Sequence, residues 1–358
     1  MRPASEVHRT NNFDAIRLVA ALTVIVAHGW PLTGTEDQPR FAGILVSHLG
    51  VYAFFSVSGY LIARSWNSSP RPAGFLVRRA TRIFPALIVV IVLSTAVIGP
   101  VLSTLSAAEY FRDPATVEYL RGLVLAPTYS LPGVFESNPT SAVNGSLWSI
   151  GPEFVCYLVV LAVGLLAAAI TADRRRARSV AFALVAVASG SAFWLVDEKA
   201  VHDASAGIVF FMVGAILGQY IERLPLWPIV PALVVLALSG LLSRDVAVSV
   251  AWLVLPYVVL SLALRSTPGV RRAGRFGDFS YGLYLWGFPV QQVVYSMWPE
   301  LPLAVNVLAV VLIAGALAAA SWFIVERRCI DLGSRLRTRL APRRTGDRTA
   351  ELSVADRP

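Results

Sequence analysis

Ten long apolar segments dominate the sequence and restrict the folds open to it. The hydrocarbon core of a bilayer is about 30 Å thick, so a helix needs about 20 apolar residues to cross it. Segments of suitable length occupy 13–31, 43–63, 83–104, 146–170, 179–196, 204–221, 226–243, 246–264, 278–298 and 302–325. They predict an all-α, polytopic integral membrane protein with about ten transmembrane helices. The more polar connection 105–145 is expected to lie in water or at the membrane interface.

The composition excludes a water-soluble enzyme. Hydrophobic residues make up 56% of the 358 residues and charged residues only 15%, whereas about 25% of residues are charged in soluble domains. A chain this apolar lacks the polar surface that a soluble globule needs. We therefore expect the lipid bilayer to be its solvent.

The net charge of +9 is explained by membrane orientation. With a cytoplasmic N-terminus, 25 of the 31 Lys and Arg residues fall inside, five fall outside, and Arg17 lies within the first span. The positive-inside rule therefore predicts that both termini are cytoplasmic, and no nucleic-acid partner is expected. The segment 333–358 has no apolar periodicity, which predicts a disordered basic cytoplasmic tail after a membrane domain over 1–332.

The first span carries two ionisable residues on one helical face. Arg17 and His28 are eleven residues apart, which leaves them about 20° apart around a helix and about 16 Å apart along it. Ionisable groups inside spans are costly and point to function. The alternatives are an interfacial histidine and an arginine that reaches the membrane surface and pairs with Asp14. Their shared face favours an internal site.

Glu153 lies inside the fourth span, in the run NGSLWSIGPEFVCYL. Counting along each helix places Glu153 and His28 at a similar depth, roughly 10 Å below the outer surface. If the two meet, the carboxylate would orient the imidazole and support it as a general base. The alternative is a neutral Glu153 that is hydrogen-bonded to a neighbouring helix and is structural.

Polar residues in three other spans allow two interpretations each. Arg79 and Arg82 share a helical face and could grip phosphates bidentately, although ordinary positive-inside charge explains them as well. Gln291 and Gln292 could line a pocket that binds hydroxyls, or could hydrogen-bond between helices. The small residues of the second span, Ser56, Ser58 and Gly59, are expected to allow close helix packing.

Several motifs occur in an order that identifies a family. They are Arg17 with ten residues before His28, the run GVYAFFSVSGYLI, the Arg79 and Arg82 pair before IFP, LWSIGPEF, and SYGLYLWGFP. This ordered set resembles the bacterial membrane-bound acyltransferase-3 family over roughly residues 10–332. The set is far more specific than any one motif.

The resemblance implies a ten-helix enzyme of the bacterial cytoplasmic (inner) membrane. Such enzymes transfer an acyl group, most often acetyl from cytoplasmic acetyl-CoA, to a hydroxyl of a glycan or glycolipid outside. Arg17 and His28 match the essential residues of the family's first helix. Arg79 and Arg82 match its RxxR pair, which is thought to contact CoA. Trp148 and Glu153 match its LWS and Glu motif.

Two departures from the family pattern stand out. Gly287 replaces a histidine that many members have in the ninth span, and Arg328 replaces a proline after Glu326, which leaves the role of Glu326 open. No second histidine is therefore available at position 287.

These observations combine into one hypothesis. The phosphates of acyl-CoA, a co-substrate, bind Arg79 and Arg82, its pantetheine arm passes Arg17, and the thioester reaches His28. There His28 acts as a general base or a transient acyl carrier, and Glu153 steers it. The expected acceptor-binding residues are Trp148, Tyr284, Gln291 and Gln292. No motif with metal-ligand spacing occurs, so neither a metal nor a permanently bound cofactor is expected.

The rival hypothesis is a proton-coupled transporter or flippase of a glycan precursor. In it, Arg17, His28 and Glu153 would form a proton relay. Against it, the spans contain no inverted repeat and no matching pair of broken helices. The sequence leaves open the acceptor, the acyl chain length and the oligomeric state.

Overall fold

The computed structural model describes residues 11–35 and 38–339, and these residues are mostly helical. A short antiparallel strand pair follows the first helix. The elements up to residue 124 are α1 (Phe13–Leu32), β1 (Arg40–Phe41), β2 (Ile44–Leu45), α2 (Val46–Ser68), α3 (Pro72–Leu93), a π-helical segment (Ser94–Ile98), α4 (Gly99–Leu102), α5 (Ala107–Arg112), α6 (Pro114–Tyr119) and a 3-10 segment (Leu120–Val124).

The remaining elements are again helical, and a second π-helical segment interrupts the last long helix. They are a 3-10 segment (Gly145–Ser149), α7 (Ile150–Ile170), α8 (Arg174–Leu195), α9 (Lys199–Tyr220), α10 (Ile229–Ser239), α11 (Arg244–Ala263), a 3-10 segment (Val270–Phe276), α12 (Ser280–Met297), α13 (Leu303–Ser321), a π-helical segment (Trp322–Glu326) and α14 (Arg327–Arg339).

The prediction of an all-α polytopic membrane protein is confirmed. Eight helices of the described chain are long and apolar enough to cross a bilayer. Two of the ten predicted spans are not among them. The span 226–243 shortens to α10, whose 11 residues cover only about 16 Å. The span 278–298 becomes α12, which has 18 residues and is made less apolar by Gln291 and Gln292.

The cations separate between the two ends of the bundle, as the charge pattern predicts. At one end, which we call the basic end, Arg64 lies 3.4 Å from Glu222, and Arg337 packs beside Gly74. Asn12, which hydrogen-bonds to Thr267, lies at the same end, so the first and last described residues share one side of the bundle. That this side faces the cytoplasm stays a prediction.

Close backbone contact joins α2 to α9. A Cβ built on Gly59 would lie 1.9 Å from the carbonyl oxygen of Phe211, and one on Gly214 would lie 2.2 Å from that of Ser56. Only glycine allows helices to approach this closely. The packing role predicted for the second span therefore holds for Ser56 and Gly59. Ser58 instead faces a cavity.

Helix α12 packs against α1 through another glycine. A Cβ on Gly287 would lie 2.5 Å from Cγ1 of Ile25, so a histidine at this position would collide with α1. The departure from the family pattern is thus a packing requirement of this chain. The contact brings the buried polar residues of α12 next to α1.

Two segments outside the long apolar helices are more ordered than the sequence indicates. The connection 105–145 folds back onto the bundle and buries Tyr110 and Tyr119 completely, so it is not simply a solvated loop. Helix α14 continues to Arg339 and packs along α3, where a Cβ on Gly333 would lie 2.8 Å from Cγ2 of Thr81. The tail predicted to be disordered from 333 is therefore helical up to 339. Its remainder, 340–358, lies outside the described residues.

Candidate active site

A cavity of about 1370 Å³ runs into the bundle from the basic end. It extends from Arg64 and Arg337 to Ser149 at its inner end. Five of the predicted site residues line it: Arg17, Arg79, Arg82, Glu153 and Tyr284. The other four do not line it: His28, Trp148, Gln291 and Gln292. The structure thus collects the cationic part of the predicted site in one place and leaves His28 beyond it.

Asp278 links the two cavity arginines Arg17 and Arg82. Both guanidinium groups form ion pairs with the same carboxylate oxygen, Oδ2. The other oxygen, Oδ1, accepts a hydrogen bond of 2.5 Å from Ser280. All three charged side chains are less than a fifth exposed. The role of Glu326 was left open by the sequence. Its Oε2 lies 3.9 Å from Nη1 of Arg82, whereas Asp278 pairs with Nη2.

Asp278 was not among the predicted site residues. It is the first residue of the predicted ninth span and lies two residues before α12, and its acidic side chain at the start of an apolar run was the only signal in the sequence. Nothing local shows that its partners lie 196 and 261 residues away.

Arg78 and Arg79 keep free hydrogen-bond donors in the cavity. Nε and one Nη of Arg78 and Nε of Arg79 are buried without a hydrogen-bond partner among the described residues. Arg79 lies over the ring of Tyr157, 5.9 Å from its centre. The predicted phosphate-binding pair therefore divides: Arg82 is neutralised by carboxylates, whereas Arg79 and its neighbour Arg78 form no ion pair with a carboxylate of the described residues.

Glu153 does not contact His28, contrary to the expectation. Its Oε1 accepts hydrogen bonds from Ser58 Oγ at 2.6 Å and from Tyr157 OH at 2.7 Å. The contact with Ser58 joins α7 to α2. This arrangement matches the alternative in which Glu153 is held by a neighbouring helix, and it also holds the ring of Tyr157 on which Arg79 lies.

The imidazole of His28 is oriented by its own helix. Nδ1 lies 2.8 Å from the carbonyl oxygen of Val24, and a carbonyl can only accept, so Nδ1 carries the proton. In the neutral ring, Nε2 then holds the lone pair that a general base needs. Val24 thus supplies the orienting contact that was expected from Glu153.

Phe288 separates His28 from the inner end of the cavity. Its ring packs edge-on against His28, with 5.6 Å between the ring centres. It stands on α12 one turn, or about 6 Å, beyond Tyr284, which lines the cavity. The path from the arginines to His28 therefore passes Tyr284 and then Phe288.

The polar residues of α12 serve mainly to hold the structure together. The Tyr284 hydroxyl donates to the carbonyl oxygen of Ser146 at 2.8 Å. Both amide hydrogens of Gln292 are used by the carbonyl oxygens of Thr140 and Ala142, at 2.7 and 2.6 Å. The oxygen of Gln292 accepts from Asn138, so no group is left for a substrate.

Gln291 also bonds between helices. Its amide lies 3.5 Å from Asn306 on α13, and its side chain is fully buried. Gln291 therefore makes an interhelical contact through its amide nitrogen, although its Oε1 has no partner among the described residues. Gln292 bonds to the connection 105–145 and not to another helix.

A second histidine, His48, lies beside Trp148 at the end of the bundle opposite the basic end. Its Nε2 is 3.7 Å from Asp203, and its Nδ1 is buried without a partner among the described residues. The rings of His48 and Trp148 are 6.4 Å apart. His48 was not among the predicted site residues, because no charged residue within its own helical turns marks it in the sequence.

Comparison with known proteins shows the family of the chain. A sequence profile described as an acyltransferase domain matches residues 10–326. An O-acetyl transferase of Shigella phage Sf6 is 30% identical over 348 residues, which cover 92% of this chain and 98% of the relative. Nodulation protein 10 of Rhizobium leguminosarum bv. viciae is 27% identical, covering 95% of this chain and 97% of the relative. No solved structure matches the chain. With the profile covering most of its length, this chain belongs to the acyltransferase-3 family and is a multi-pass membrane acyltransferase.

Proposed function

We propose that this acyltransferase takes an acetyl group from cytoplasmic acetyl-CoA and transfers it to a hydroxyl of a glycan or glycolipid outside the bacterial cytoplasmic membrane. The observation that carries the proposal is the cavity at the basic end, in which Arg78 and Arg79 present buried guanidinium nitrogens with no partner among the described residues. Buried donors of this kind are costly unless a ligand satisfies them.

The donor site matches the chemistry of a nucleotide diphosphate. Guanidinium groups bind phosphate oxygens through paired, charge-assisted hydrogen bonds. A cavity of about 1370 Å³ is large enough for a ligand well above drug size. Arg82 is already neutralised by Asp278 and Glu326, so Arg79 is the principal phosphate ligand in this proposal, and Arg17 and Arg82 form the wall behind it.

The chemistry takes place at His28. Nε2 accepts the proton of the acceptor hydroxyl as the hydroxyl oxygen attacks the thioester carbon. The new C–O bond forms, the C–S bond breaks, and the imidazolium returns the proton to the departing thiolate. The products are an ester and free CoA. The Nδ1 contact with Val24 keeps the lone pair on Nε2 throughout.

The pantetheine arm has to reach from the arginines to His28. Arg17 and His28 are about 16 Å apart along α1. The last part of the path lies beyond Tyr284, where Phe288 packs on His28. An extended pantetheine arm spans this distance when Phe288 turns aside. His48 and Trp148 lie on the far side, where the acceptor would enter.

The proposal is tested by incubating purified protein with acetyl-CoA labelled in the acetyl group. Consumption of the thioester by the unmodified protein supports acyl transfer from CoA, and the absence of any consumption or binding contradicts it. Loss of the 42-dalton acetyl increment from surface glycans of a deletion strain would identify the acceptor. A transporter would leave the thioester intact.

Replacing Arg79 tests the donor site directly. Arg79→Ala removes a charge-assisted contact and is expected to weaken CoA binding roughly 10-fold or more, as measured by calorimetry. Arg176→Ala is the matched control, because Arg176 is exposed and does not line the cavity. If the CoA affinity of Arg79→Ala is unchanged, Arg79 contributes only to the positive-inside charge that orients the protein in the membrane.

A further inference from the structure

We propose that Arg78 and Arg337 form an additional anion site at the mouth of the cavity, which binds the 3′-phosphate of the CoA donor. This inference rests on the proposed function and extends it to a residue of the C-terminal helix α14. The site is separate from the inner position of Arg79, and its ligand is a phosphate monoester on a ribose.

The side chains of Arg78 and Arg337 meet beside Gly74, where α14 packs along α3. A Cβ built on Gly74 would lie 3.8 Å from Nη1 of Arg78 and 3.8 Å from Cγ of Arg337. The guanidinium group of Arg78 and the methylene stem of Arg337 therefore border the same point of α3. Arg337 also lines the cavity, together with Gly333 and Ser334 from the preceding turn of α14.

No acid neutralises this pair. Among residues 11–35 and 38–339, neither Arg78 nor Arg337 has a carboxylate within ion-pair distance, in contrast to Arg17 and Arg82, which share Asp278. The strongest electrostatic neighbour of Arg78 is Arg337 itself. Two adjacent like charges repel each other, and Nε and Nη2 of Arg78 are buried without partners. An anion between the two side chains would relieve both conditions.

The arrangement of charges along the cavity matches the arrangement of phosphates in CoA. The pantetheine arm extends from the diphosphate, and the 3′-phosphate lies on the ribose at the opposite end of the molecule. With the arm directed inward, the diphosphate falls near Arg79 and the ribose stays at the mouth. A phosphate monoester carries close to two negative charges at neutral pH, which suits two arginines without a carboxylate.

The alternative source of the same chemistry is the phosphate of an anionic lipid headgroup at the membrane surface. The two sources differ in one respect that can be measured. A site for the donor's 3′-phosphate distinguishes acetyl-CoA from 3′-dephospho-acetyl-CoA, whereas a lipid site treats the two donors alike.

The experiment measures the Kd of both donors by calorimetry with purified full-length protein in detergent without lipid. For Arg337→Ala, we expect the Kd of acetyl-CoA to rise roughly 10-fold or more and that of 3′-dephospho-acetyl-CoA to stay within twofold of the unmodified protein. Arg335→Ala, an exposed position of the same helix that does not line the cavity, should change neither value. Arg78→Ala should show the same donor-dependent effect, and it replaces Arg337→Ala in the test if that variant fails to fold.

Three results would overturn the assignment. They are an equal rise for both donors, no rise for either donor, and an effect that appears only in vesicles containing anionic lipid. If the protein binds acetyl-CoA and consumes its thioester, but both variants keep the donor preference of the unmodified protein, only this inference is wrong. If the unmodified protein neither binds nor consumes acetyl-CoA, the proposed function is wrong as well.

Discussion

Replacing Asp278 by asparagine is the most direct test of how the cavity is held together. The carboxylate of Asp278 is the shared counter-ion of Arg17 and Arg82. Asparagine keeps the shape of the side chain and removes its charge. Two guanidinium groups, each less than a fifth exposed, would then face each other, with only Glu326 at 3.9 Å from one of them.

The expected loss of stability follows from the burial of the charges. Breaking a buried ion pair by removing one partner costs about 3 to 5 kcal/mol. The lower value of about 3 kcal/mol applies here, since the side chains keep some exposure and Glu326 still compensates Arg82. At about 2 °C per kcal/mol for a chain of this size, the unfolding midpoint falls by roughly 6 °C.

The assay follows the exposure of buried Cys156 to a thiol-reactive dye during heating, in a Cys329→Ser background. Adding Arg17→Gln to Asp278→Asn should recover part of the lost stability, because it removes one of the two uncompensated charges. Asp331→Asn is the matched control, since Asp331 is exposed and makes no ion pair with the described residues. An unchanged midpoint in Asp278→Asn, or a double variant less stable than the single one, would refute the reasoning.

Two further predictions concern catalysis and packing. His28→Gln should lower acetyl transfer by roughly 10² to 10⁴-fold while leaving CoA affinity unchanged, because the arginines of the cavity are intact; near-normal transfer would remove His28 from the chemistry. Gly287→Ala should destabilise the protein by about 1 to 3 kcal/mol, since the added Cβ would lie 2.5 Å from Ile25. Gly315→Ala, where nothing lies within 4 Å, should unfold at or above the original temperature, because alanine is favoured over glycine inside a helix. An equal loss of stability at both glycines would contradict the packing argument.

Local periodicity was sufficient to predict the helices and part of the site. Arg17 and His28 lie on one uninterrupted helix, as the eleven-residue spacing requires, and Arg79 and Arg82 face the same cavity. These relationships depend only on the regular geometry of a helix. The charge asymmetry, which separates the two ends of the bundle, depends instead on which connections between the spans carry the cations.

Contacts between distant segments could not be predicted in this way. Counting along each helix placed Glu153 level with His28, but Glu153 meets Ser58, two residues from Tyr60, whose ring stacks on Phe13 at the start of α1. The count failed because the offset and tilt of one helix against another cannot be read from either segment alone. The orienting partner of His28 is a backbone carbonyl, which no residue type reveals. The Arg78 and Arg337 pair arises because α14 turns back along α3, and a basic sequence after the last span gave no sign of that path.

The position of Asp278 in the chain has a consequence for biosynthesis. Arg17 and Arg82 enter the membrane with the first and third helices, whereas their shared counter-ion is synthesised about 200 residues after Arg82. Until α12 inserts, the early helices carry positive charge that lacks this permanent partner. The cavity therefore takes its final form late in membrane insertion, and a nascent chain that stalls before α12 would hold the motifs of the first four spans without the counter-ion that joins Arg17 to Arg82.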